Sequence, residues 1–262
     1  MTARPIESKT FDRIPVHIFQ SNEQLGQSAA ERFGNLVTQV AHDHGHAAVI
    51  LATGNSQLTF MSALRAKKDL PWNEVTVFHM DEYLGISEQS PVSFPRYIRE
   101  KLVNYVHPAA FYPIHGDTSD VEKELKRYSD LLREFPPDIC VLGIGENGHL
   151  AFNDPAEACF DDPLDVKQVT LDLVCRQQQV NEGAFASVAE MPERAITITV
   201  PALFRVPELI LSTPGPRKAR IVKRTLYDPL STACPATILR RHPNATLFLD
   251  RDSAAELTSE VR

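Results

Sequence analysis

Short apolar runs alternate with segments of helical periodicity along most of this 262-residue chain, and this alternation is the strongest constraint on its fold. The run 47–52, AAVILA, is apolar throughout, as expected for a strand buried on both faces of a parallel sheet. Similar strands are predicted at 16–19, 75–78, 139–143, 166–173, 195–200, 209–212 and 245–249. A capping box from Ser21 to Gln24 opens a helix that ends near Gly45, and further helices are predicted at 56–68, 93–105, 119–134, 216–227 and 253–261. The pattern indicates an α/β fold, namely an open, mostly parallel, doubly wound sheet with helices on both faces.

The chain contains no internal repeat, low-complexity tract or linker that would divide it. We therefore expect a single domain over residues 1–262, a length that can bury one large core. The least regular stretch, 156–193, is predicted to be a lid over a site, because long irregular segments often have that role.

Composition excludes several classes of protein. The formal net charge of -7 argues against a nucleic-acid binder, which would carry a basic face. No run approaches membrane-spanning length, and the first residues contain no apolar signal region. The four cysteines, Cys140, Cys159, Cys175 and Cys234, form no C-x-x-C pair, which is typical of a reducing compartment. We expect a cytoplasmic protein with neither nucleic acid nor membrane as a partner.

The segment 141–155, VLGIGENGHLAFNDP, contains the G-x-G-x-x-G pattern of dinucleotide-binding proteins. That motif needs a helix opening at its third glycine, and the Asn-Asp-Pro tripeptide at 153–155 favours a turn instead. We therefore expect no nucleotide cofactor. What remains is a glycine-rich turn at the end of a strand that presents His149 and Asp154, which can form an acid–base pair. A structural histidine is the alternative.

Two other segments are suited to an anion. Thr53, Gly54, Asn55 and Ser56 leave a predicted strand and enter a helix, where backbone N–H groups and hydroxyls can hold a phosphate. Lys218 lies in the first turn of a later helix, where its charge and the helix dipole act together. The alternatives are an ordinary helix cap for the first segment and a solvated basic helix start for the second.

Adjacent acids, Asp81 and Glu82, follow another predicted strand. Neighbouring residues of a strand point to opposite faces, so at most one of these carboxylates faces a cleft. A helix-capping role is the alternative for Asp81.

The histidine-rich sequence HDHGH at 42–46 has the composition of a metal site. It falls at the predicted C-terminus of a helix, where histidines cap free carbonyls. We therefore predict no metal site there.

Taken in order, these segments resemble the glucosamine-6-phosphate deaminase family, which shares its fold with the 6-phosphogluconolactonases. The resemblance runs from Ile14 to Asp250 and is carried by LATGNSQLTFMSAL, VTVFHMDEYLGI, VLGIGENGHLAFNDP and GPRKA. The second and third of these are the most specific, because lactonases generally lack an M-D-E-Y counterpart and do not continue the G-H turn into an A-F-N-acid-Pro run.

The resemblance implies roles for the candidate residues. Asp81 matches the carboxylate that moves a proton between C2 and C1 of the open-chain sugar, His149 matches the histidine that opens the ring, and Asp154 matches its supporting acid. The turn 53–56 and Lys218 match the groups around the substrate phosphate. The implied reaction converts glucosamine 6-phosphate and water to fructose 6-phosphate and ammonia, with no cofactor and no metal.

The chain departs from the family pattern at several positions. Many members have an aspartate where this chain has Asn147, a catalytic candidate, and a glutamate where it has Asp154. The phosphate-side arginine of the lid is not clearly matched, and Arg176 is the candidate for it. The acidic stretch 157–162 would repel a phosphorylated activator, so allosteric activation of the family type is not expected.

Two alternatives remain at this point: a lactonase that hydrolyses 6-phosphogluconolactone, and a non-catalytic sugar-phosphate sensor. The chain contains both Asp81 and His149, and its sequence shows no helix-turn-helix segment. Both observations favour an enzyme. The sequence leaves open which amino sugar phosphate is preferred and whether the protein is a monomer or a homo-oligomer.

Overall fold

The computed structural model describes residues 3–257. Its strands are β1 (Glu7–Phe11), β2 (Ile14–Phe19), β3 (Ala47–Leu51), β4 (Val75–His79), β5 (Asp81–Tyr83), β6 (Ala110–Tyr112), β7 (Ile139–Leu142), β8 (Val166–Thr170), β9 (Arg194–Ile198), β10 (Glu208–Ser212) and β11 (Ala245–Asp250). Its helices are α1 (Asn22–His44), α2 (Leu58–Ala66), α3 (Phe94–Ile98), α4 (Asn104–Val106), α5 (Val121–Glu134), α6 (Leu173–Asn181), α7 (Val200–Phe204) and α8 (Ala219–Tyr227).

Eight strands form one sheet in the order β1-β2-β11-β10-β7-β3-β4-β6. All neighbours are parallel except β1 and β2. One face of the sheet packs against α1 and α2, and the other against α5 and α8, in two separate apolar clusters. Strands β3, β4 and β7 are buried along their whole length, which is why β3 and β7 are continuous apolar runs in the sequence. The doubly wound α/β prediction is confirmed.

A second, three-stranded antiparallel sheet, β5-β9-β8, was not predicted. Its strands β8 and β9 correspond to the predicted strands 166–173 and 195–200, and both end earlier than expected. Strand β8 stops at Thr170 because the Asp172 side chain accepts from the Cys175 N–H at 2.7 Å and begins α6. Strand β9 stops at Ile198 because Thr199 caps α7 in the same way.

Predictions at the two ends of the chain had different outcomes. The Ser21 hydroxyl accepts from the Gln24 N–H at 3.4 Å, and α1 ends at Gly45 with φ of 74°, as predicted. The predicted helix 253–261 is wrong over its described part. Residues 251–257 form turns, because Ser253 bonds back to Asp250 instead of capping a helix. Residues 258–261 lie outside the described part of the chain.

The predicted lid, 156–193, is more regular than the sequence suggested, because it contains β8 and α6. Its movement over a site stays a prediction.

All four cysteines are free, and Cys140, Cys175 and Cys234 are buried. Within residues 3–257, no helix is both long enough and apolar enough to cross a bilayer.

Candidate active site

Four of the segments identified in the sequence meet at one edge of the main sheet. The strands β4, β3, β7 and β10 are neighbours, and their carboxyl ends lead into these segments, as is usual for ligand sites in open α/β sheets. Together they surround a solvent-open cleft. Six predicted site residues line this cleft: Thr53, Gly54, Ser56, Asp81, His149 and Lys218. Four others, Asn55, Asn147, Asp154 and Arg176, lie outside its lining.

The turn from Thr53 to Ser56 forms one end of the cleft. Gly54 has a φ of 93°, a left-handed conformation that favours glycine, and a short 3-10 turn follows and leads into α2. Tyr97 fixes the turn from outside by donating its hydroxyl to the Gly54 carbonyl at 2.9 Å. Asn55 is exposed and donates to the Glu182 carbonyl at 3.3 Å. The turn therefore places two hydroxyls and the start of a helix at the cleft. The Asn55 side chain connects the turn to the C-terminal end of α6.

Lys218 lines the same cleft as this turn. It ends a 3-10 turn that begins at Pro216 and leads into α8, and it is 8 % exposed. Burial lowers the pKa of its ammonium group, and the carboxylates of Glu182 and Glu146 act in the opposite direction. Lys218 is the one lysine or arginine among the described residues that line the cleft. A helix start, two hydroxyls and a buried cation can together bind an anion, and we refer to this part of the cleft as the anion-binding end.

Asp81 lines the cleft from the short strand β5. Asp81 is 6 % exposed, and burial raises the pKa of its carboxyl group to about 8. No compensating charge or hydrogen-bond donor among residues 3–257 contributes to that shift. A carboxyl group with a pKa near neutrality can both accept and return a proton, which is what general acid–base catalysis needs.

The neighbouring acid, Glu82, points away from the cleft, as predicted for adjacent residues of a strand. It accepts from the Ser93 hydroxyl at 2.8 Å and from the N–H groups of Tyr83 and Phe94. Burial raises the pKa of Glu82 to about 8, although these hydrogen bonds act against the shift. Glu82 thus has the capping role that was the alternative for Asp81.

His79 holds the backbone of Asp81 in place. Burial lowers the pKa of His79 to about 3, so its ring is neutral. Nδ1 lies 3.0 Å from the Asp81 carbonyl, to which it donates, and Nε2 accepts from the Ile114 N–H at 2.8 Å. This buried histidine ties the end of β4 to the start of β5.

His149 and Asp154 face each other across the glycine-rich turn. Nδ1 of His149 lies 3.0 Å from Oδ1 of Asp154, a close contact that is not aligned as a good hydrogen bond. The ring packs directly on Gly145, where a Cβ would come within 2.2 Å of Nε2. Gly148 has a φ of 93° and lets the chain turn back, and no helix follows it. The glycines therefore make room for the histidine, in agreement with the prediction that this is not a nucleotide fingerprint.

Asn147 supports this pair without lining the cleft. Its Nδ2 donates to Oδ1 of Asp154 at 2.9 Å and to Oδ2 of Asp172 at 2.8 Å, and its Oδ1 accepts from the His149 N–H. Burial acts to raise the pKa of Asp154, but hydrogen bonds and the charge of His149 outweigh it and hold that pKa below its usual value. Asn147 therefore keeps two carboxylates apart and positions the turn.

Arg176 is not brought to the cleft. Its guanidinium donates to the carbonyls of Val188 and Met191 at 2.6 and 3.0 Å and lies 3.7 Å from the Glu193 carboxylate. These contacts fasten α6 to the chain that follows it.

The sequence reading missed the wall of the cleft that α6 provides. Gln178, Gln179 and Glu182 line it, and Gln178 bridges two parts of the site. Its Oε1 accepts from the Glu146 N–H at 2.9 Å, and its Nε2 donates to Oε1 of Glu182 at 2.8 Å. Together with the buried Cys175, these residues have the i, i+3, i+4, i+7 spacing of one helix face, which is the signal that could have identified them.

One group of potential metal ligands lies together among the described residues: His149, Asp154 and Cys175, whose ligand atoms are within 4.8 Å of one another. Both oxygens of Asp154 already accept hydrogen bonds. Burial raises the pKa of the Cys175 thiol well above its usual value. The arrangement suits a carboxylate that orients a histidine, and we assign no metal to it.

Comparison with known proteins agrees with the geometry of the site. The model of the family described as glucosamine-6-phosphate isomerases/6-phosphogluconolactonase matches residues 20–248. The glucosamine-6-phosphate deaminase of Bacillus cytotoxicus is 32% identical over 244 residues, which cover 93% of this chain and 89% of that protein. The enzyme of the same name from Bacillus thuringiensis is 33% identical over 235 residues, covering 90% and 87% of the two chains.

Solved structures give the same result. A monomeric glucosamine-6-phosphate deaminase is similar with a TM-score of 0.84 at 27% identity, over 92% of this chain and 99% of that one. A 6-phosphogluconolactonase from Shewanella baltica has a TM-score of 0.75 at 19% identity, over 92% and 97%, which shows a shared fold alone. The chain therefore belongs to the family of enzymes that comprises the glucosamine-6-phosphate isomerases and 6-phosphogluconolactonases.

Proposed function

We propose that this enzyme converts glucosamine 6-phosphate and water to fructose 6-phosphate and ammonia, as an aldose–ketose isomerisation with loss of the amino group. The observation that carries the proposal is the buried carboxyl group of Asp81, whose pKa of about 8 suits the reversible transfer of one proton. It shares a cleft with His149 and Lys218. The names of the Bacillus relatives support the same reaction.

The anion-binding end holds the phosphate in this proposal. Lys218 and the turn 53–56 bind it at a distance from the reacting carbons, so binding energy positions the sugar for the chemistry. Asp154 lies against Nδ1 of His149, which leaves Nε2 to exchange a proton with the ring oxygen. Ring opening then exposes the aldehyde at C1.

Asp81 carries out the isomerisation. Its carboxylate removes the C2 proton of the open-chain amino aldehyde and returns it to C1, while a second proton passes from the amino group to O1; the aldehyde becomes an alcohol and the amine becomes a C2 imine. Water adds to that imine and ammonia leaves, giving the ketone of fructose 6-phosphate. Each step uses only proton transfers and water, so the proposal includes neither cofactor nor metal.

The test is an ammonia-release assay on glucosamine 6-phosphate, run beside a hydrolysis assay on 6-phosphogluconolactone. We expect deamination to exceed lactone hydrolysis by orders of magnitude and to persist in excess chelator. Lactone hydrolysis as the faster reaction would contradict the proposal and favour the lactonase alternative. Binding of either sugar phosphate with no turnover would favour the sensor.

We also propose a cytoplasmic location. Four free cysteines, three of them buried, suit a reducing compartment. Fractionation with a labelled chain tests this, and recovery from an oxidising compartment would contradict it.

A further inference from the structure

The anion-binding end of the cleft also contains a negative charge, the carboxylate of Glu182. Its Oε1 accepts from Gln178 Nε2 at 2.8 Å. Its Oε2 extends toward the phosphate turn, where a Cβ on Gly54 would stand 3.7 Å from it. Glu182 also raises the pKa of Lys218, against the effect of burial, so the two charges act on each other. Lys218 therefore has an anion of the protein near it before any substrate arrives.

The backbone adds to this negative charge. Glu182 is the C-cap of α6 and lines the cleft, so the carbonyl end of that helix lies at the cleft. The Glu182 carbonyl accepts from Asn55, a residue of the phosphate turn. A carboxylate at a helix C-terminus is unfavourable, because it adds to the partial negative charge there. Glu182 is therefore unfavourable for α6 itself, and its favourable interaction with Lys218 offsets part of that cost.

We propose that Glu182 limits the affinity of this cleft for phosphate, because its carboxylate competes with the substrate's phosphate for Lys218 and for the turn 53–56. The proposal rests on the proposed function, since it concerns the phosphate of that substrate. Lys218 neutralises one negative charge, and Glu182 supplies one. A phosphate dianion must displace or outcompete this carboxylate, so the enzyme binds sugar phosphates more weakly than its turn and lysine alone would allow.

The experiment measures binding, so that it does not depend on turnover. The affinities of inorganic phosphate and of fructose 6-phosphate are determined by titration calorimetry for the unaltered enzyme, for Glu182→Gln and for Glu190→Gln. The last variant is the control, because it removes the same charge from an exposed position in the same segment. A like charge a few ångströms from a dianion in a solvent-open cleft should weaken binding by about 5-fold. We therefore expect Glu182→Gln to bind both ligands about 5-fold more tightly and Glu190→Gln to be unchanged.

Raising the ionic strength tests whether the effect of Glu182→Gln on phosphate binding comes from the lost charge or from a change in the shape of the cleft. At about 1 M salt the screening length falls to roughly 3 Å, and the difference between the enzyme and Glu182→Gln should shrink toward 1-fold. In turnover, the same variant should lower KM for glucosamine 6-phosphate with kcat little changed. A merely structural role would instead alter kcat or the unfolding midpoint.

The outcomes distinguish this inference from the proposed function. Tighter phosphate binding by Glu182→Gln supports the inference even if the enzyme releases no ammonia. Equal affinities for all three proteins, or failure of both the enzyme and Glu182→Gln to bind phosphate, would overturn it even if the enzyme is a deaminase. Weaker binding by Glu182→Gln would also overturn it and would make Glu182 a supporting residue of the turn.

Discussion

Replacing Asp81 with asparagine is expected to stabilise the protein and at the same time to remove most of its activity. The side chain keeps its shape but can no longer ionise. Burial raises the pKa of Asp81 from 3.8 to about 8, so the folded state holds its proton more tightly than the unfolded chain does. The contribution of Asp81 to stability is therefore full below pH 3.8 and is lost as the pH rises toward 8.

The size of the effect follows from that shift. Between the ordinary pKa and pH 7, each unit corresponds to about 1.4 kcal/mol, so the full penalty at pH 7 is about 4 kcal/mol. Solvent entering the open cleft weakens the penalty. We expect Asp81→Asn to raise the free energy of unfolding by roughly 2–3 kcal/mol at pH 7. Turnover should fall by about 10²–10⁴, the usual contribution of one general base.

Urea unfolding from pH 4 to pH 8.5 measures the stability difference, and ammonia release and exchange of the fructose 6-phosphate C1 proton with heavy water measure the chemistry. Asp69→Asn, at an exposed position, is the matched control and should be neutral in every assay. The stability gain should grow with pH and level off near pH 8. A constant difference, or a loss of stability, would refute the assigned burial penalty. Rapid C1 exchange in Asp81→Asn would refute its role as the proton carrier.

Four further predictions concern the same cleft. Because the carboxylate form of Asp81 is the base, kcat/KM should rise with pH toward about 8, and a profile that is flat or falling from pH 6 to 8 would contradict this. Lys218→Ala should raise KM by roughly 10- to 100-fold through loss of a charge-assisted contact, whereas the exposed Arg220→Ala should leave it unchanged. His149→Ala should reduce turnover less than Asp81→Asn does, because sugar rings also open unaided. The His149→Ala variant should still bind an open-chain amino-alditol phosphate. Failure to bind that ligand in calorimetry would contradict the role of His149 in ring opening. Asn147→Asp should lower the free energy of unfolding by about 2–3 kcal/mol, because it places a third carboxylate between those of Asp154 and Asp172. An unchanged free energy in urea unfolding would show that the carboxylates share a proton or a cation.

The main sheet could be predicted because its central strands are buried on both faces. Such strands appear in the sequence as unbroken apolar runs, and β3 and β7 are clear examples. The small sheet could not be predicted in this way. Its strand β5 is three residues long and carries two acids, so its strand character depends on pairing with β9, more than a hundred residues later.

The same division applies to the cleft. Residues that directly follow parallel strands were placed correctly, because the topology gathers the carboxyl ends of those strands at one edge. The positions of Asn147 and Arg176 outside the cleft were harder to predict from the sequence, because tertiary contacts determine their hydrogen-bond partners. Asn147 bonds to Asp172, 25 residues away, and Arg176 is drawn to the carbonyls beyond α6. The last predicted helix failed for a local reason, because Ser253 forms a tight turn with Asp250 that competes with a helix cap.

The pairing of β8 with β9 determines how this enzyme can change. Thr170 and Arg194 are direct partners in the small sheet, so the chain leaves that sheet and returns to it at the same place. The intervening segment, 171–193, carries Gln179 and Glu182, while Asp81 stands on the other side of β9. A segment with both ends fixed side by side can be exchanged as a unit without altering the register of the frame beneath it. Residues 171–193 thus form one wall of the cleft, whereas the turn 53–56, Lys218 and Asp81 lie outside this segment, so a continuous exchange between β8 and β9 would alter that wall and leave those groups in place.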